Sequence, residues 1–146
     1  MRPLFSILSV VYIFGIFVFA GSPIVRTLAP FNFCSLLHIL LYGTLTVLLI
    51  FSFLPSALRP GGAATQRRNA PKNSTASING FMIAAFIALG VAIADEIYQS
   101  FVPGRDASIT DILLDTIGIV AAMLLVNQFY KKPLLSKITE KSVITP

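Results

Sequence analysis

Five of the six acidic residues in this chain fall between Asp95 and Asp115, in the segment ADEIYQSFVPGRDASITDILLDTIG. Long apolar runs flank that segment on both sides. Carboxylates at the ends of membrane-spanning helices are expensive to place and mark functional sites by default. Asp95, Glu96, Asp111 and Asp115 could act as acids or bases, accept hydrogen bonds from a polar ligand, or offer oxygens to a hard cation. His38, the only histidine, could serve as a general base, and Tyr42 shares its helix face at spacing i, i+4. Arg105 supplies a planar fork suited to phosphate or carboxylate. It is also the natural counter-charge for Asp95 or Glu96, so the sequence predicts that it folds back onto one of them.

The elements that must position these groups are read from hydropathy. The chain has 146 residues, 55% apolar and 12% charged, too few charges for an ordinary soluble domain. Apolar runs at Leu4–Ala20, Phe33–Leu54, Phe81–Ala94 and Ile112–Phe129 approach the roughly 20 residues needed to cross a bilayer. A backbone in lipid must satisfy itself, so the runs are helices. The expected fold is all-α: one domain over 1–146, a four-transmembrane-helix bundle with spans near 4–20, 33–54, 79–98 and 110–130. Residues 55–78, rich in Pro, Gly, Ser, Asn and basic side chains, read as a mobile loop. The tail after Tyr130 is polar and basic and reads as partly ordered against the membrane surface.

Charge sets the orientation. Arg2, Arg59, Arg67, Arg68, Lys72, Lys131, Lys132, Lys137 and Lys141 fall on one side of this topology, and Arg26 and Arg105 on the other. The positive-inside rule then places both termini in the cytoplasm and the acidic segment outside. The formal charge of +5 is explained by topology, without a nucleic-acid partner. Basic loops of this kind attract anionic lipid headgroups. The single cysteine, Cys34, rules out an internal disulfide and a multi-cysteine zinc knuckle. Arg2 and Val18-Phe19-Ala20 are similar to the ends of a signal peptide, but the stretch is long for one and favours a retained helix.

Helical phase predicts which acids face inward. At about 100° per residue with Ala84 as zero, Ala88 falls near 40°, Ala92 near 80°, Asp95 near 20°, Gln99 near 60° and Glu96 near 120°. Small residues line helix contacts in membranes, so Asp95 and Gln99 continue the packed face and Asp95 is favoured over Glu96. In the fourth span Asp115 stands above a Gly118–Ala122 seam, with Asp111 one turn outward. Asp111 also suits a helix first turn, with Ser108 or Thr110 as a side-chain cap. Pro103-Gly104 marks a tight turn.

The string D-E-x-x-Q-x-F-x-P-G-R, here Asp95, Glu96, Gln99, Phe101, Pro103, Gly104 and Arg105, followed by Asp111 and Gly118, resembles the VanZ-like membrane protein family. An upstream D-K-x-x-H-x-x-x-Y element is matched by His38 and Tyr42, with Cys34-Ser35 in place of Asp-Lys. Asp115 stands where the family pattern has asparagine. The resemblance covers about 33–125. It implies a multi-pass protein of the bacterial plasma membrane, in a family associated with glycopeptide resistance, chiefly to teicoplanin.

Two functions lead as expectations, with a proton or ion relay and a purely structural salt-bridge network that fixes helix packing as the other readings open. The first is a pocket on the extracytoplasmic side, formed by His38, Tyr42, Asp95, Glu96, Gln99, Arg105, Asp111 and Asp115. It would bind a membrane lipid headgroup, a lipid-linked wall precursor or a glycopeptide-like amphiphile. The second is a membrane-embedded enzyme acting on such a substrate, with His38, Asp95 or Asp111 as acid or base. In a variant of the second, Asp95, Asp111 and Asp115 hold Mg²⁺. Asp111-x-x-x-Asp115 is similar to part of a lipid phosphotransferase motif, but the preceding Asp-Gly and Ala-Arg elements are missing. No hydrolase string, zinc ligand set or phosphate-binding glycine loop is present, and the sequence assigns no metal.

Overall fold

The computed structural model describes residues 2–22, 33–53, 74–105 and 107–142. Four helices account for nearly all of them: α1 (Arg2–Ala20), α2 (Phe33–Phe53), α3 (Ser74–Ser100) and α4 (Ile109–Ser142). There is no strand among the described residues. Each helix contains a stretch long and apolar enough to cross a membrane. Their outer faces are apolar as well: Phe14, Phe86 and Phe129 are 70%, 68% and 72% exposed. An exterior of that kind fits hydrocarbon rather than water as its solvent.

Two helices differ in length from the sequence expectation. Helix α3 starts at Ser74, so 74–78 belong to a helix and not to the loop assigned to 55–78. Residues 55–73 of that loop lie outside the described part. Helix α4 continues through the basic tail to Ser142, well past the apolar boundary at Phe129. Hydropathy finds where a helix leaves the apolar slab; it carries no information about where backbone hydrogen bonding stops.

The helices alternate in direction. The end of α1 meets the loop after α3, where Arg105 Nη1 donates to the Ala20 carbonyl at 3.4 Å. At the opposite end Ser9 Oγ lies 3.3 Å from Ser52 Oγ, and the Phe5 and Phe51 rings are 5.4 Å apart. Helix α2 is central, packing most extensively on α4 and also on α1 and α3. The core joins Tyr42, Leu45, Leu49 and Ile50 of α2 to Ile16, to the Ala84–Ala88–Ala92 stripe of α3, and to Ile119 and Val126 of α4. All three alanines are fully buried.

Glycine sets the closest approach. A Cβ on Gly118 would collide with the backbone of Ile39, and one on Gly43 would press on the Gly118 carbonyl. Helices α2 and α4 therefore cross backbone against backbone, the small-residue contact that substitutes for hydrophobic driving force in lipid. This crossing lies one turn from both His38 and Asp115.

Candidate functional site

The polar groups gather where α2 begins, α3 ends and α4 begins. On α2, His38 and Tyr42 share a face, their rings near parallel with centroids 6.3 Å apart. Thr46 extends that face; its hydroxyl donates to the Tyr42 carbonyl at 2.7 Å. On α3 the inward stripe at spacing four, Gly80–Ala84–Ala88–Ala92, divides at its last turn into Asp95 and Glu96, and Gln99 follows. On α4, Asp115 sits directly before the glycine crossing.

Asp95, Glu96, Gln99 and Asp115 are 2%, 3%, 1% and 0% exposed, so these polar side chains must find partners inside the protein. Tyr42 Oη and Gln99 Nε2 both donate to Asp95 Oδ2, at 3.2 and 3.0 Å. His38 Nδ1 donates to Asp115 Oδ1 at 3.0 Å, joining α2 to α4. Glu96 Oε2 accepts the Ser108 backbone N–H at 2.8 Å. Four buried oxygens nevertheless have no partner among the described residues: Asp95 Oδ1, Glu96 Oε1, Gln99 Oε1 and Asp115 Oδ2. All four are acceptors when the carboxyls are ionised.

Several sequence expectations change here. Glu96 is as deeply buried as Asp95, although helical phase put it to one side. The end of α3 is flanked by α2 and by the start of α4, so both positions that follow the stripe at i+3 and i+4 turn inward. Asp111 is half-buried and has no place in this hydrogen-bond network. The three groups whose ligand atoms converge are His38, Glu96 and Asp115, within 4.8 Å of one another, rather than Asp95, Asp111 and Asp115.

Arg105 pairs with neither Asp95 nor Glu96. The Arg105 N–H donates to the Val102 carbonyl at 3.1 Å across Pro103-Gly104, and Gly104 has φ of 82°. That is a type II turn, with proline and a positive-φ glycine at its central positions. It carries the guanidinium toward the end of α1, onto the Ala20 carbonyl. With one long, part-buried side-chain bond to lose among the described residues, Arg105→Ala should cost less than about 1 kcal/mol. Thermal melting of the purified variant checks this; a large loss of stability would mean that Arg105 bears on the acids after all. Ser108 caps α4 through its backbone: its carbonyl accepts from Asp111 and Ile112, while its N–H is committed to Glu96.

A sequence model of the VanZ/LLP1 family matches residues 4–130, from the first turns of α1 to the end of the membrane-crossing part of α4. The chain belongs to the VanZ/LLP1 family. The match includes every residue of the cluster. Neither a curated protein nor a solved structure matches the chain. Family membership and four apolar helices make this a multi-pass membrane protein, in a family associated with glycopeptide resistance.

Two residues outside the sequence-derived set help to build the site. Gly43 faces Gly118 at the crossing, and the Ser108 N–H fixes Glu96. A small residue directly after Tyr42 was a readable signal for the first. A backbone donor in a loop leaves no signature in side-chain patterns.

Proposed function

We propose that this VanZ/LLP1-family protein works in the bacterial envelope by binding the donor-bearing polar head of a membrane amphiphile in its buried cluster. The observation that carries this reading is the set of four unpartnered buried oxygens contributed by Asp95, Glu96, Gln99 and Asp115. Buried acceptors without donors are destabilising, and a ligand bringing hydroxyl, amide or ammonium groups relieves that penalty. A phosphate or carboxylate would add acceptors to acceptors, and Arg105 is directed elsewhere. Sugar hydroxyls of a lipid-linked wall precursor or a glycopeptide-like amphiphile have the required chemistry. Apolar helix faces beside the cluster suit a tail. The positive-inside distribution of Lys and Arg supports an extracytoplasmic position for the cluster.

A second reading, a membrane-embedded enzyme, draws on the His38–Asp115 contact. A carboxylate that orients an imidazole is a recurrent way to prepare a general base.

Lipid-dependent melting of the detergent-purified protein tests the binding reading. A glycosylated diacylglycerol or phosphatidylethanolamine should raise the melting temperature, by the equivalent of about 2.7 kcal/mol at a hundredfold excess over Kd. Phosphatidic acid should give no comparable rise. Asp95→Asn preserves an oxygen for Tyr42 and Gln99, so the apo protein should melt near wild type but lose the lipid response. An equal response to phosphatidic acid, or a full response in Asp95→Asn, would sink the proposal.

A further inference from the structure

We propose that His38, Glu96 and Asp115 form a site for one divalent transition-metal ion of the Zn²⁺ type. Each residue comes from a different helix: α2, α3 and α4. One ligand atom from each lies within 4.8 Å of the other two, and all three side chains are buried. His38 Nδ1 and Asp115 Oδ1 stand 3.0 Å apart. Two neighbouring ligands bound about 2.0–2.1 Å from one ion adopt a similar separation. The ion would replace the proton now shared between that nitrogen and that oxygen. Glu96 completes the set from within 4.8 Å of both, and its side chain would have to close toward the ligand–ligand separation of roughly 3.3 Å that a tetrahedral ion sets.

Two further observations point to a cation. Glu96 Oε1 and Asp115 Oδ2 are buried without partners, so each ligating carboxylate has an oxygen whose needs the protein leaves unmet. Charge balance gives the same answer. A divalent ion would offset the Glu96 and Asp115 carboxylates, which one imidazole cannot do, and would leave Asp95 to its hydrogen bonds from Tyr42 and Gln99.

Ligand chemistry sets the class of ion. An imidazole nitrogen with carboxylate oxygens suits Zn²⁺ and its borderline neighbours, while Mg²⁺ prefers an all-oxygen, water-rich shell and soft Cu(I) prefers sulfur. Three protein ligands leave a coordination position open for a hydroxyl or another oxygen of a bound molecule. Asp95 and Gln99 stay outside the set, free to accept hydrogen bonds from the same molecule. The metal site and amphiphile binding draw on the same orphan oxygens of Glu96 and Asp115, and they are told apart by readout: metal content for the first, the lipid response of chelator-stripped protein for the second.

The test is metal content and affinity of the full chain in detergent micelles, stripped with chelator and then titrated with Zn²⁺ or Mg²⁺. Mass spectrometry after desalting should find one Zn²⁺ per chain, with Mg²⁺ bound at least about 100-fold more weakly. His38→Gln, Glu96→Gln and Asp115→Asn should each weaken Zn²⁺ binding by about 100-fold or more. Glu96→Gln retains an acceptor for Ser108, and a melting curve for each variant separates lost ligation from lost folding. Asp111→Asn, which removes the half-buried acid outside the triad, should weaken Zn²⁺ binding by at most about tenfold, well short of the ligand variants. Substoichiometric Zn²⁺ in the wild type, wild-type affinity in well-folded Glu96→Gln, or Mg²⁺ binding as tight as Zn²⁺ would each overturn the assignment. So would an equal loss in Asp111→Asn. Metal content and lipid-dependent melting are separate readouts, so either proposal can fail while the other stands.

Discussion

Gly118→Leu is expected to abolish the folded bundle, and Gly118→Ala to destabilise it by about 1–3 kcal/mol. The reason is the partner at the crossing. A Cβ at position 118 meets the Ile39 carbonyl and its adjoining backbone atoms, none of which can rotate away as a side chain would. Relief requires α2 and α4 to separate along their shared interface, the most extensive helix contact among the described residues. Separation would also lengthen the His38–Asp115 contact, so any ligand or metal response should fall together with stability. Gly90→Leu is the matched control, since a Cβ there meets nothing within 4 Å and the position faces outward. Thermal melting and size-exclusion profiles in one detergent would make the comparison. Near-identical behaviour of Gly118→Ala and Gly90→Leu would show that the helices do not touch as described.

The second large effect concerns the pair joining α2 to α4. His38→Leu leaves Asp115 fully buried with neither oxygen bonded, and Asp115→Leu strands the imidazole. Breaking one side of a buried pair costs about 3–5 kcal/mol. Replacing both by leucine removes the stranded group and should recover most of that loss, because an apolar pair of similar volume is often neutral or better. Melting of the two single variants and the double variant in chelator-treated buffer gives the coupling directly. If the double variant loses the sum of the single losses, the two groups are energetically independent and the contact is incidental. Metal binding should be absent in all three variants whatever their stability.

The parts of this architecture governed by periodicity were legible in the sequence, and the parts governed by loop conformation were not. Hydropathy located all four helices, and a 100° wheel put Asp95, Gln99 and Asp115 on inward faces with no knowledge of their partners. The same wheel demoted Glu96, because it treats a helix as having one packed side. At its last turn α3 has two neighbours, and inward spans a wider arc. Arg105 was misassigned for a different reason. Charge complementarity suggested an acid, but the type II turn at Pro103-Gly104 fixes where its side chain emerges, and Glu96 was already held by Ser108. The Pro-Gly pair announced the turn, but not where the Arg105 side chain would emerge from it.

The glycine crossing has a mechanical consequence for a protein embedded in a fluctuating bilayer. Helices answer changes in membrane thickness by tilting, and α2 and α4 can tilt against each other only about the point where their backbones touch. That point acts as a fulcrum. Asp115 is about 4.5 Å along the axis from Gly118, whereas Phe129 is about 16 Å away. A tilt of about 5° would therefore displace Asp115 by roughly 0.4 Å and Phe129 by roughly 1.4 Å. The polar cluster sits on the short arm, where thickness and curvature move it least, and the distant end of the bundle takes up the motion.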